Sequence, residues 1–206
     1  MIPFACVIFM FIGTCFRKQW LMLFFHCNCD AYMDKIMASC IRGRIMKVLI
    51  AFFSMTKDYS FGKVERLAKG HTEQVADQIH ALIESDLYRM NKVEAIDPRR
   101  EYIPARILDF AQYDVVYLGF PIYYHTMPVQ VAEFIKSYDF AGKMILLFTT
   151  HGGSGLGRSV EKIKLMCPQA KVLDGLAVGS AEVLSAKDKI KKWALASFHD
   201  CLVDGF

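Results

Sequence analysis

Four short, almost wholly apolar runs constrain this chain more than any other feature. They are Val48–Phe53, Val115–Phe120, Met144–Phe148 and Val172–Val178. They are short for buried helices, and they lack the alternation of a strand with one wet face. Runs of this kind suit strands covered on both sides in a parallel sheet. Leu87–Val93 is more polar and suits an edge strand. Between the runs lie helical stripes: Val75, Ile79, Leu82 and Ile83; Val131, Phe134, Ile135 and Tyr138; Leu156, Val160, Ile163 and Cys167. Ile190, Trp193 and Ala194 begin a last helix, with Ser185 and Asp188 spaced as a capping box. Ile103–Gln112 carries a fainter helical pattern. Five strands alternating with helices make a doubly wound α/β fold.

The chain has 206 residues, 54% of them hydrophobic, enough for the core of one domain. Its charge and cysteines are unevenly placed. Residues 1–45 hold five Lys/Arg, two Asp/Glu and five of the seven cysteines. The body from Met46 carries 20 basic and 19 acidic residues, a net of +1, with only Cys167 and Cys201. Such a body has no basic face for nucleic acid and no disulfide framework, and it reads as cytoplasmic. Residues 1–45 read as an extension outside the core, either a start placed too far upstream or a signal or anchor. Only an anchor there would bring in a membrane. The extension lacks a basic n-region and a small-residue cleavage site. Cys27, Cys29 and His26 lack a second pair at metal-ligand spacing. The core domain is therefore assigned to residues 46–206.

In an open parallel sheet, ligands sit beyond the carboxyl ends of the strands, where the strand order reverses. Three loops follow such ends. Ser54–Thr72 carries hydroxyls at Ser54, Thr56 and Thr72 and opens a helix at Gly70-His71-Thr72. Free N–H groups and a positive dipole end suit that start to a phosphate. Gly119-Phe120-Pro121-Ile122-Tyr123-Tyr124-His125-Thr126-Met127-Pro128 offers aromatic rings that can stack on a planar group. Pro128 is placed for the first position of a helix. Thr149–Gly157 holds four glycines in six residues, which let backbone approach a ligand. Familiar catalytic motifs fail here on detail. Arg158 stands where Gly-x-Gly-x-x-Gly needs its third glycine, and Leu156 where Gly-x-Ser-x-Gly needs its last. There is no Gly-Lys-Ser/Thr. His151 and Ser154 have no placed acid to complete a hydrolase set.

The second loop, followed by Phe148-Thr149-Thr150-His151-Gly152-Gly153-Ser154-Gly155-Leu156-Gly157-Arg158-Ser159, resembles the flavodoxin family, especially its longer bacterial members. The likeness runs from Met46 to about Trp193. It implies a five-stranded sheet of order 2-1-3-4-5 with FMN at the carboxyl end. It implies phosphate contacts at Ser54, Thr56, His71 and Thr72. One side of the isoalloxazine would be held by Pro121, Ile122, Tyr123, Tyr124 and Thr126. The other would be held by Thr150, His151, Gly152, Gly153 and Gly155, mostly through backbone N–H groups.

The chain departs from relatives in four ways. His71 replaces an Asn. Tyr123-Tyr124-His125 stands where relatives often have Trp-Trp-Gly. The stretch Ile96–Asp109 looks shorter, and the body is not acidic. The resemblance implies an electron carrier in which the flavin does the redox work and no side chain acts as acid or base. The alternative is an NAD(P)H-dependent FMN oxidoreductase acting on quinones. A domain that has lost FMN is the third reading. Partners would accordingly be a redox protein, or NAD(P)H and a quinone.

Overall fold

The computed structural model describes residues 46–58, 65–90, 107 and 109–204. The chain forms β1 (Val48–Phe52), a short pair β2 (Lys57–Asp58) and β3 (Glu65–Arg66), and α1 (His71–His80). Then come β4 (Asp86–Arg89), β5 (Val115–Pro121), α2 (Val129–Ser137), β6 (Met144–His151) and α3 (Ser159–Met166). β7 (Lys171–Val172), β8 (Leu176–Gly179) and α4 (Lys187–Asp204) complete it. The main sheet runs β4-β1-β5-β6-β7 with β8 also on β6, and every pairing is parallel. This is the expected 2-1-3-4-5 order, with β7 and β8 sharing the fifth position.

Alternation of side chains along each strand divides the core. Val48, Ile50, Phe52, Tyr117, Leu146, Phe148, Leu176 and Val178 face one layer, with Val75 and Ile79 of α1 and Ile190 and Ala194 of α4. Leu49, Ala51, Val116, Leu118, Phe120, Ile145 and Leu147 face the other, with Val131, Phe134 and Ile135 of α2 and Ile163 of α3. Both faces of β1, β5 and β6 are buried, so their sequences are apolar without alternation.

Several local expectations need correction. The run Val172–Val178 is not one strand. Met144 and Ile145 pair with Lys171 and Val172, but Phe148 pairs with Leu176, so the register slips by one residue. That extra residue is a bulge of the kind that bends a strand. Trp193 Nε1 donates to the Asp174 carbonyl there, at 3.3 Å. Ser185 does not form the expected capping box: its hydroxyl donates to Glu182 O at 3.0 Å. Pro128 is the N-cap of α2 rather than its first residue, and Leu156 precedes α3. In the stretch read as a faint helix, Phe110–Gln112 forms a single 3₁₀ turn; residues 103–106 and 108 lie outside the described residues, as do residues 1–45, 91–93 of the edge-strand reading, and Phe206. Among the described residues no helix is long and apolar enough to cross a membrane, and no His/Cys/Asp/Glu group could hold a metal.

At the amino end of the sheet, the Lys143 side chain is buried. Its Nζ donates to Tyr113 O at 2.6 Å and Ala111 O at 3.2 Å, and lies 5.2 Å from the centre of the Phe110 ring. Burial holds its pKa below the usual lysine value, opposed by Asp114, Asp139 and Asp109. The ammonium thus ties the turn before β5 to the start of β6. Lys143→Met should lower the unfolding free energy by about 1–3 kcal/mol, the cost of leaving such carbonyls without a donor. Urea titration measures this directly; an unchanged midpoint would refute it.

Candidate functional site

The carboxyl ends of β1, β5 and β6 lie side by side. Phe52 aligns with Gly119, Gly119 with Phe148, and Pro121 with Thr150. The loops that leave these strands therefore begin on one rim. The candidate binding residues lie along this rim: Ser54 and Thr56 on the first loop, with His71 and Thr72 opening α1; Pro121 at the end of β5, with Ile122, Tyr123, Tyr124 and Thr126 on the second loop; Thr150 and His151 at the end of β6, with Gly152, Gly153 and Gly155 on the third loop.

The first loop is longer than its ends require. Lys57 and Arg66 pair across β2 and β3, and Leu67 N–H donates to Thr56 O at 2.7 Å. The loop thus pinches shut between Thr56 and Leu67, and its two ends meet. Ser54 is buried, and its hydroxyl accepts the Glu73 N–H at 3.1 Å. It satisfies one of the free donors of the α1 start and keeps its own proton for donation. The cap of α1 is therefore a serine supplied from the strand end, and Gly70 is the residue at the N-cap position. A Cβ on Gly70 would lie 2.1 Å from Met55 O and 2.2 Å from Ser54 Oγ. Glu73, in the first turn, is held by Arg89 at 3.2 Å.

The second loop turns back on itself. Tyr123 N–H donates to Thr126 O and Thr126 N–H to Tyr123 O, both at 2.9 Å. Between them Tyr124 and His125 have φ of 48° and 61°. Two consecutive positive φ values are the mark of a tight hairpin turn that usually takes Asn-Gly. Neither residue announces that turn in the sequence. Tyr124 is 99% exposed, its ring standing clear of the protein.

The loops are tied to one another. Ile122 N–H donates to Thr150 O at 2.9 Å, and Arg158 N–H to His125 O at 2.8 Å. The buried hydroxyls of Thr72 and Thr150 meet at 2.8 Å. Tyr123 Oη rests on the sulfur of Met55. Within the third loop, Thr149 Oγ1 donates to Gly155 O at 3.2 Å, and Gly153 N–H donates to His151 Nδ1 at 2.9 Å. Gly152, Gly153 and Gly155 have open space where a side chain would be. Met55, Gly70, His125 and Arg158 join the site as framework residues that loop composition did not reveal. Only the folded backbone shows that Arg158 meets His125 and that Gly70 lies against Met55.

A model of the flavodoxin family matches residues 47–196. The chain belongs to the flavodoxin family. Solved structures share the fold. A protein from Bacteroides uniformis described as a flavoprotein is 22% identical, with a TM-score of 0.56 over 72% of this chain and 97% of its own. A flavoprotein so described from Bacteroides eggerthii is 23% identical, with a TM-score of 0.51 over 70% and 97%. Oxidised flavodoxin 2 from Bacillus cereus is 20% identical, with a TM-score of 0.51 over 78% and 99%. No curated protein sequence matches the chain.

In this flavodoxin-family chain the first loop depends on its backbone touching across Gly70. Gly70→Ala must push Met55 and Ser54 away from the α1 start. Overpacking of this kind costs about 1–3 kcal/mol, and it also removes the Ser54 cap. Urea unfolding should register a loss of at least about 1 kcal/mol, while Ala81→Gly at the exposed C-cap of α1 should not reproduce the change at the loop. Amide hydrogen exchange at Glu73 separates the two: it should accelerate only in Gly70→Ala. Wild-type protection at Glu73 in that variant would disprove the contact's role.

Proposed function

We propose that the chain binds FMN at this rim and carries electrons. The observation that carries the reading is the convergence of three tied loops, with the exposed Tyr124 ring on one and open glycine backbone at Gly152, Gly153 and Gly155 on another. A planar, phosphorylated group fits that arrangement. Ser54 and Thr56 with the α1 start at His71 and Thr72 supply hydroxyl and N–H donors for a phosphate. The Glu73 carboxylate nearby is already held by Arg89, which offsets its repulsion of an anion. Pro121, Ile122, Tyr123, Tyr124 and Thr126 would cover one side of the ring. Thr150, His151 and the glycines would border the other. Bound FMN would supply the electron transfer itself.

The chain's own part is to bind, orient and expose. The hydrogen bonds between loops fix the donors before a ligand arrives, which lowers the ordering cost of binding. No side chain of the set is required to exchange a proton with a substrate. A protein partner would receive electrons at the rim beside Tyr124.

Titration of the purified full chain with FMN should quench flavin fluorescence and saturate near one equivalent. Absence of quenching would overturn the cofactor reading. The loaded protein should consume NADH or NADPH negligibly in the presence of a quinone. Rapid steady-state consumption would replace the carrier reading with that of an NAD(P)H-dependent FMN oxidoreductase.

A further inference from the structure

His151 ends β6, and its ring does something that no backbone role for this residue requires. Nδ1 accepts the Gly153 N–H at 2.9 Å, so the ring is neutral and its proton lies on Nε2. Gly153 has φ of 140°, a conformation open to glycine and rare for any other residue. The bond spans two residues and closes the glycine turn on the strand that carries it. The turn is the part of the rim whose backbone lies open to a ligand. A proton on Nδ1 would abolish the acceptor, release the Gly153 N–H and place a cation at the end of β6.

We propose that His151 is a proton-operated latch on the glycine turn, holding it in the shape that receives the flavin ring at neutral pH and releasing it on acidification. In its binding arm the proposal rests on the flavin reading above. The surroundings favour the neutral ring at neutral pH. Burial lowers the pKa of His151 most, Lys189 on α4 lowers it further, and Glu182 in the turn after β8 opposes them. Lys189 is held in place by its own bond to Ala177 O at 2.7 Å. The folded protein thus binds this proton less readily than the unfolded chain. The stabilisation is complete above the ordinary value of 6.5 and is lost as pH falls from there through the lower folded value.

The test uses riboflavin beside FMN, because a phosphate monoester has its own ionisation at about pH 6. Dissociation constants of both for the full chain are measured by fluorescence quenching between pH 5 and 8. For riboflavin, acidification should weaken binding about threefold to tenfold, the range that one neutral hydrogen bond spans. His151→Asn, whose Oδ1 offers a non-titrating acceptor in the place of Nδ1, should remove the pH dependence. It should also bind more tightly at pH 7.5 than His151→Ala, which has no acceptor. In the flavin-free protein, the Gly153 amide resonance should titrate with His151 in the wild type and stay still in His151→Asn. Riboflavin affinity that ignores pH in the wild type, or depends on pH equally in His151→Asn, overturns the latch. So does a Gly153 amide that does not titrate. If neither flavin binds any variant at any pH, the flavin reading falls, and the Gly153 titration alone decides the latch.

Discussion

Phe52, Gly119 and Phe148 stand abreast on β1, β5 and β6, and the hydrogen-bonded ladders that align them are what the rest of the molecule depends on. Parallel pairing sends three consecutive strand ends to one edge of the sheet. Helices α1 and α4 on one face, and α2 and α3 on the other, bury those strands from both sides. A one-residue slip would turn each core side chain to the wrong layer. The register is therefore held by packing over the whole strand length, and the loops inherit their starting points from it.

The loops then hold each other. Ile122 to Thr150, Arg158 to His125 and Thr72 to Thr150 are bonds between segments far apart in sequence. They satisfy polar groups that the strand ends would otherwise leave exposed or buried without partners. Their second consequence is that the three loops are bonded to one another along the rim. Like that rim, the unusual conformations at Tyr124 and His125 are imposed by surroundings: the mutual bonds of Tyr123 and Thr126 close the turn, and the bond from Arg158 fixes its far side. Non-glycine residues in the left-handed region cost energy that these contacts must offset.

Much of this was legible from residue patterns. The near-continuous apolar runs at Val48, Val115 and Met144 suit strands covered on both faces, and helical stripes such as Val75, Ile79 and Ile83 set the alternation. The position of the candidate loops followed, since strand-end loops rich in glycine and hydroxyls collect where a parallel sheet ends. The limits of the pattern are equally specific. Val172–Val178 reads as one strand because the one-residue slip between Val172 and Leu176 leaves no mark in hydropathy. The hairpin turn at Tyr124-His125 is invisible because it lacks the glycine or asparagine that usually reports positive φ. Ser54 looks like a ligand donor but also caps α1, a bond between residues 19 positions apart in the chain.

The amino-acid sequence by itself determined the class of fold, the order of the main strands and helices, and which three loops leave the carboxyl end of the sheet, because burial on one or two faces leaves a period that composition cannot hide. Tertiary structure alone decided how those loops touch: which hydroxyl caps which helix, which carbonyl meets Arg158, and where the imidazole of His151 finds its donor. Those choices depend on angles and distances of tenths of an ångström between segments brought together by the sheet, and hydrogen bonds of that kind leave no periodic trace along the chain.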